Sequence, residues 1–286
     1  MQDWATPEKM GRNHVKILQA PRCSACKDGI ASPFAFSMAF QPIVDVQNQS
    51  IFAYEALVRG INGEGAFSIL SQITDENRYS FDQNCRVRAI TLASQLGLDR
   101  TPAKLSINFM PGAVYSPAAC IQLTLKTADA LSFPAEKLIF EITEAEQVRD
   151  RKHIRSIVEE YRKHGFSVAI DDFGAGYSGL NLLADFPPDI LKLDMDLARN
   201  IDRRPTAQHV VSHMVSLART IGCQLIAEGI ETVEEFEAMR DCGVTLMQGY
   251  LFAKPAFEGL PAVTFPQPYL HSSQHLHCSE TPFVAA

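Results

Sequence analysis

Residues 36–60 read FSMAFQPIVDVQNQSIFAYEALVRG. Two runs rich in aromatic and β-branched residues, Phe36–Val46 and Ile51–Val58, flank the polar connector Asp45-Val46-Gln47-Asn48-Gln49-Ser50. The connector is too short for a helical crossover, so the two runs form an antiparallel hairpin. Further β-like runs follow at Leu105–Phe109, Leu138–Thr143, Val168–Asp172, Ile190–Asp194, Gln224–Glu228 and Thr245–Leu251. The intervening stretches Arg86–Leu96, Ala118–Leu131, His153–His164, Ala207–Ile221 and Val233–Arg240 carry apolar residues at helical spacing. Gly97, Gly165, Gly222 and Gly243 come just after four of them, where a left-handed C-cap favours glycine. Strand and helix alternate from the second strand on, which predicts a parallel sheet. Eight strands with a reversed start predict an α/β fold, a modified (β/α)8 TIM-like barrel whose first strand is antiparallel.

Composition bounds the rest. A chain of 286 residues with 46% hydrophobic and 21% charged residues is an ordinary globular protein, not a disordered, collagenous, coiled-coil or disulfide-scaffold chain. Residues 1–35 are polar and irregular and residues 258–286 are rich in turn formers, so both read as peripheral to a barrel spanning 36–257. No apolar run is long enough to span a bilayer and Met1–Cys23 has no signal-peptide h-region, which predicts a cytoplasmic protein with no membrane partner. The seven cysteines are then free thiols. A net charge of −7 gives no general pull toward DNA or RNA duplexes. A phosphate-bearing ligand would need a local reversal of sign, by metal cations or a few placed basic residues.

The C-terminal ends of barrel strands carry the active site, and here run after run finishes in polar side chains. They are Gln41 on the first strand, Glu55 and Arg59 on the second, Asn108, Glu141, Asp171 with Asp172, Lys192 with Asp194, Glu228, and Gln248 on the eighth. Any one is the ordinary first solvated residue of a loop. Closing the barrel brings them to one rim, where five carboxylates cannot all stay ionised without counter-charge. Bound cations are the simplest remedy, and an all-oxygen donor set favours Mg²⁺ or Mn²⁺ over Zn²⁺. Six donors suffice for two ions, a known device for in-line attack on phosphate esters. Neighbouring strand residues point to opposite faces, so Asp171 and Asp172 can share the site only where the strand breaks, which Phe173-Gly174 provides. Lys192 lies between Leu191 and Leu193 and faces the carboxylates, as charge balance or to steer a water; Arg59 is a candidate fork for a phosphate oxygen.

Gln41-Pro42-Ile43 followed by Glu55-Ala56-Leu57 and Arg59 resembles the EAL-domain cyclic di-GMP phosphodiesterases. The resemblance continues through Ser106-Ile107-Asn108, Glu141-Ile142-Thr143-Glu144, Asp171 to Ser178, Lys192-Leu193-Asp194, Ala227 to Thr232 and Gln248-Gly249-Tyr250. It implies hydrolysis of one phosphodiester bond of cyclic di-GMP to linear pGpG. It implies metal ligands Glu55, Asn108, Glu141, Asp171, Asp172 and Glu228, with Lys192 orienting the attacking water. Gln41, Arg59, Asp194, Glu231 and Gln248 would line the substrate, Glu144 would anchor the loop after Asp172, and the chain would act as a homodimer.

Other readings compete. Gly174-x-Gly176-x-x-Gly179 fits a dinucleotide-cofactor loop, but Asp171 and Asp172 would meet the pyrophosphate head-on. An enolase-like lyase also uses carboxylate-held Mg²⁺ and a lysine, and leaves Arg59 and the amide donor without a task. A silent cyclic di-GMP receptor on the same fold is the non-enzymatic alternative. His209 and His213, at i and i+4, lack a third ligand, and Cys23-x-x-Cys26 with His275, His277 or Cys278 would make a zinc clip if the termini met.

Overall fold

A computed structural model describes residues 34–143, 151–175, 180, 183–184 and 187–266. The hairpin forms as expected. β1 (Phe36–Asp45) runs antiparallel to β2 (Ser50–Gly60) along its whole length, from Phe36 opposite Gly60 to Asp45 opposite Ser50. Asp45 makes the turn: its Oδ1 accepts the backbone N–H groups of Gln47 and Asn48, each at 3.0 Å, an Asx turn that closes the connector.

Six parallel strands follow: β3 (Lys104–Asn108), β4 (Leu138–Thr143), β5 (Ser167–Phe173), β6 (Ile190–Leu193), β7 (Gln224–Ala227) and β8 (Leu246–Gln248). They pair in sequence order from β2 to β8. β1 bridges β8 and β2, antiparallel to both, and closes the barrel. A two-residue β9 (Ala256–Phe257), not anticipated from the sequence, extends β1 on its free edge beyond β8. Residues beyond it stay on the barrel: the Tyr54 hydroxyl donates to the Pro261 carbonyl at 3.2 Å, and Leu260, Val263 and Phe265 pack on the core.

The pleat separates two cores. Outward-facing residues pack under the helices, while Ile43, Ala53, Ile139, Ala169, Ile190, Ile226 and Leu246 form a small separate cluster that fills the barrel. Because side chains alternate with period two, the next inward residue on each strand lies two positions on. Those residues are Glu55, Glu141, Asp171, Lys192, Glu228 and Gln248, and on reversed β1 the count runs backward to Gln41. An apolar plug thus supports a polar layer at the C-terminal mouth.

The helices are α1 (Ala66–Leu70), α2 (Arg78–Gln95), α3 (Pro117–Cys120), α4 (Gln122–Ala130), α5 (Arg151–Lys163), α6 (Met195–Ala198), α7 (Pro205–Ile221) and α8 (Val233–Asp241). The four expected glycines do adopt positive φ, between 75° and 91°. The expected 118–131 helix is broken at Ile121. α2 starts at Arg78 rather than Arg86, because its buried face carries charge as well as apolar residues. Arg86, fully buried, holds Asp82 Oδ2 at 2.6 Å and the Tyr161 hydroxyl of α5 at 2.7 Å. Its guanidinium lies 5.2 and 5.3 Å from the ring centroids of Phe109 and Phe140. Asp82 Oδ1 accepts the Met110 N–H at 2.9 Å. Burial works against the Arg86 charge and the Asp82 carboxylate overcomes it. The network braces the outer side of the strands that carry Asn108 and Glu141 on their inner side.

Candidate active site

Lys192 sits at the centre of the mouth, 1% exposed. Its Nζ lies 2.7 Å from Glu228 Oε1, 2.9 Å from Glu141 Oε2, 2.9 Å from Asp171 Oδ1 and 3.4 Å from Glu55 Oε2. Asn108 Nδ2 donates to Glu55 Oε1 at 2.9 Å, and Gln248 Nε2 donates to Glu55 Oε2 at 2.8 Å. Ser106, two residues before Asn108 on the same face of β3, donates a short hydrogen bond to Glu141 Oε1. Ser106 had no assigned role in the sequence reading; its inward parity with Asn108 is the signal that could have found it.

Asp172 reaches the site by a different route from the one expected. β5 does end at Phe173-Gly174, where Gly174 takes a φ of 105°, but the aspartates turn before that end, since Phe173 is buried and still pairs with Leu193 of β6. The register slips between Ile170 and Phe173, so Asp171 and Asp172 together oppose Lys192 alone. This is a β-bulge, and Asp172 takes the left-handed φ of 53°. The bulge turns both carboxylates toward the mouth.

Two glycines place the last strand ends. A Cβ on Gly249 would lie 1.9 Å from the Ile230 carbonyl oxygen, so the turn after β8 presses directly on the loop after β7. That close approach ends β8 at Gln248 instead of continuing to Leu251. Gly229, at φ 71°, would place a Cβ 2.5 Å from that of Met195, holding the loop of Glu228 against the end of β6.

The charge balance is lopsided. Five carboxylates, Glu55, Glu141, Asp171, Asp172 and Glu228, surround one ammonium. Burial, with Glu55 and Asp171 nearby, pushes Glu141 up to about 8 despite Lys192. Burial and Asp171 push Asp172 up to about 6, and burial carries Glu228 well above the carboxylate range. Burial opposes the Lys192 charge, and Asp171, Glu141, Glu228 and Glu55 together push its pKa well above that of a free lysine.

The donors fit divalent cations. Oxygens of Glu55, Glu141 and Asp171 come within 4.8 Å of one another, as do those of Asp171, Asp172 and Glu228, so two candidate clusters share Asp171. Gln248 Oε1 is buried with no hydrogen-bond partner among the described residues, a further hard donor at the same place.

The remaining sequence candidates surround this centre. Gln41 lies opposite Glu55 in the β1–β2 register, and its Nε2 is 3.4 Å from the Ala253 carbonyl. Arg59 shares the β2 face of Glu55 and donates to the Val58 carbonyl at 2.8 Å. Asp194 caps α6 by accepting the Asp196 N–H at 2.9 Å, and Glu231 pairs with Arg199 at 2.9 Å. Glu144, Gly176, Gly179, Cys23, Cys26, His275, His277 and Cys278 lie outside the described residues. His213 Nδ1 contacts the His209 carbonyl at 2.7 Å on an exposed face of α7, and neither joins a metal-competent group among the described residues. No helix among the described residues is long and apolar enough to cross a membrane.

Comparison with known proteins agrees with this geometry. The family model of the EAL domain matches residues 30–255. A standalone versatile EAL protein from Vibrio cholerae O395, solved in its c-di-GMP bound form, is 53% identical, with a TM-score of 0.79 over 82% of this chain and 98% of that one. The manganese/cy-diGMP complex of Klebsiella pneumoniae BlrP1 is 34% identical, with a TM-score of 0.75 over 79% of this chain and 57% of that one. Among curated proteins, the blue light- and temperature-regulated antirepressor BluF of Escherichia coli K12 is 30% identical over 229 residues, covering 80% of this chain and 56% of BluF. Cyclic di-GMP phosphodiesterase PA2567 of Pseudomonas aeruginosa is 29% identical over 238 residues, covering 81% of this chain and 40% of that protein. The chain thus spans about half the length of these curated relatives. It belongs to the EAL-domain family.

Proposed function

We propose that this chain hydrolyses one phosphodiester bond of cyclic di-GMP to give linear pGpG, using two divalent ions, Mg²⁺ or Mn²⁺. The observation that carries the reading is the pair of oxygen clusters sharing Asp171 around one buried lysine. Glu55, Asn108, Glu141, Asp171, Asp172 and Glu228 would hold the ions. Divalent ions there supply Lewis-acid activation of the attacking water and positive charge against the phosphoryl oxygens.

The chain's own residues do the rest. Lys192 keeps its proton and offers N–H donors at the centre of the mouth, where it can fix the direction of the attacking water. Ser106 holds Glu141 and Gln248 holds Glu55, so the inner carboxylates meet the ions already oriented. Arg59, on the Glu55 face of β2, offers a planar fork to a non-bridging phosphate oxygen. Gln41, Asp194, Glu231 and Gln248 line the space above with acceptors and amides suited to guanine edges. The apolar plug below keeps the reacting group at the rim.

Relatives named as cyclic di-GMP phosphodiesterases support this reading, as do neighbours holding the nucleotide with manganese. The test is purified protein with cyclic di-GMP and Mg²⁺ or Mn²⁺, followed by chromatography. Appearance of pGpG is the expected result. Nucleotide that binds but is recovered intact in excess of both metals would make the chain a receptor instead.

A further inference from the structure

The carboxylate of Glu235, in the first turn of α8, is 2% exposed and takes no part in the mouth itself. Part of its work is helix capping: Thr232 Oγ1 accepts the Glu235 N–H at 3.1 Å, and Glu235 Oε2 accepts the Thr232 N–H at 3.3 Å. A capping box needs nothing more. Here the same Oε2 also accepts the Glu231 N–H at 3.0 Å. Oε1 crosses to a different loop and accepts the Asn200 N–H at 2.9 Å, from a residue held at a left-handed φ of 52°. Arg199 spans the same gap, 2.9 Å from Glu231 Oε1 and 3.7 Å from Glu235 Oε1. Nearer the strands, Gly229 lies against Met195 across the same pair of loops. Burial pushes the Glu235 carboxyl up, but the N–H groups of Asn200, Glu231 and Thr232, with Arg199, hold it below its ordinary value.

These two loops leave the ends of β6 and β7. One carries Asp194 and the other Glu231. We propose that Glu235 is a positioning residue that locks these two loops in one register and so fixes the spacing of Asp194 and Glu231. The inference rests on the reading above, in which both residues line the cyclic dinucleotide. A glutamine at 235 keeps one acceptor but points an NH₂ at N–H donors, so one loop must part from the other. Five of the six ion ligands lie on β2 to β5; the sixth, Glu228, directly follows β7 and is held by its own N–H to the Leu193 carbonyl at 3.3 Å and by Lys192 at 2.7 Å, not by Glu235. The loss therefore falls on substrate binding and not on the chemical step.

The test uses the Mn²⁺-loaded full chain with two substrates, cyclic di-GMP and bis(p-nitrophenyl) phosphate, which has no guanine bases. For Glu235→Gln, KM for cyclic di-GMP should rise about tenfold or more with kcat held within about threefold, and the bis(p-nitrophenyl) phosphate rate should not change. Thr232→Ala removes a cap but leaves the bridge, so it lowers the melting temperature without moving KM. Arg199→Gln, at a side chain one-third exposed, keeps the fold and raises KM severalfold, which carries the test should Glu235→Gln not fold. Unchanged KM in both variants, or an equal fall in kcat on both substrates, overturns the clamp. The dissociation constant for cyclic di-GMP in Ca²⁺ buffer reads the same loops without turnover. No binding by the wild type refutes the functional reading and the clamp with it, whereas wild-type binding with unchanged variant affinity refutes the clamp alone.

Discussion

Replacing Lys192 with methionine removes the one cation that, among the described residues, lies amid the five carboxylates, while keeping the volume of the side chain. In the metal-free protein the ammonium lies within 3.4 Å of four carboxylates and is 1% exposed. Removing one partner of a buried ion pair costs about 3–5 kcal/mol, because the other charges stay behind. Protonation softens this. Glu141 is already pushed up to about 8, and without Lys192 both Glu141 and Glu228 take up protons more readily. The lower end of the range, about 3 kcal/mol, is therefore expected, and for a chain of this size that lowers the melting temperature by about 6–12 °C. Divalent ions replace the lost charge, so added Mn²⁺ should raise the melting temperature of Lys192→Met by more than that of the wild type, while hydrolysis stays abolished. The assay is thermal unfolding in EDTA and in Mn²⁺. Wild-type-like melting in EDTA, or an equal Mn²⁺ response in both proteins, would refute the reasoning.

Three further outcomes follow from the geometry. Glu141 at about 8 and Asp172 at about 6 lie above the unfolded values of about 4.3 and 3.9. The folded metal-free state therefore binds the extra protons, and stability present below about pH 4 is lost as pH rises toward 8; melting in EDTA should fall across that window and melting in saturating Mn²⁺ should not. Asp171→Asn weakens both clusters and Asp172→Asn only one, so calorimetric titration should show a larger loss of Mn²⁺ affinity in Asp171→Asn; equal losses would argue against a shared ligand. Gly249→Ala forces a Cβ into the Ile230 carbonyl, which must shift the Gln248 and Glu228 loops, so it should lower both stability and turnover.

Much of this was legible in the sequence, for identifiable reasons. The short Asp45–Ser50 connector dictates a hairpin, and the hairpin dictates the reversed first strand. Glu55, Glu141, Asp171, Lys192, Glu228 and Gln248 each follow an apolar residue by two positions, so the pleat alone places them on one face. The β5 bulge was not legible, since no residue pattern there distinguishes a bulge at Asp172 from a break at Gly174. The start of α2 was hidden because Asp82 and Arg86 look like solvent-facing charges until Tyr161 and the Met110 N–H, distant in sequence, arrive beside them. The link from Glu235 to Asn200 was hidden likewise: a capping box is local and readable, whereas its second use depends on how two loops meet.

Two cations sharing Asp171 at the barrel mouth would carry the proposed chemistry. Crystals soaked in Mn²⁺ and measured at the manganese absorption edge would locate them. Two anomalous peaks about 3.5–4 Å apart, one beside Glu55, Glu141 and Asp171 and the other beside Asp171, Asp172 and Glu228, are predicted. No peak at these carboxylates, or a lone peak away from Asp171, would contradict the account.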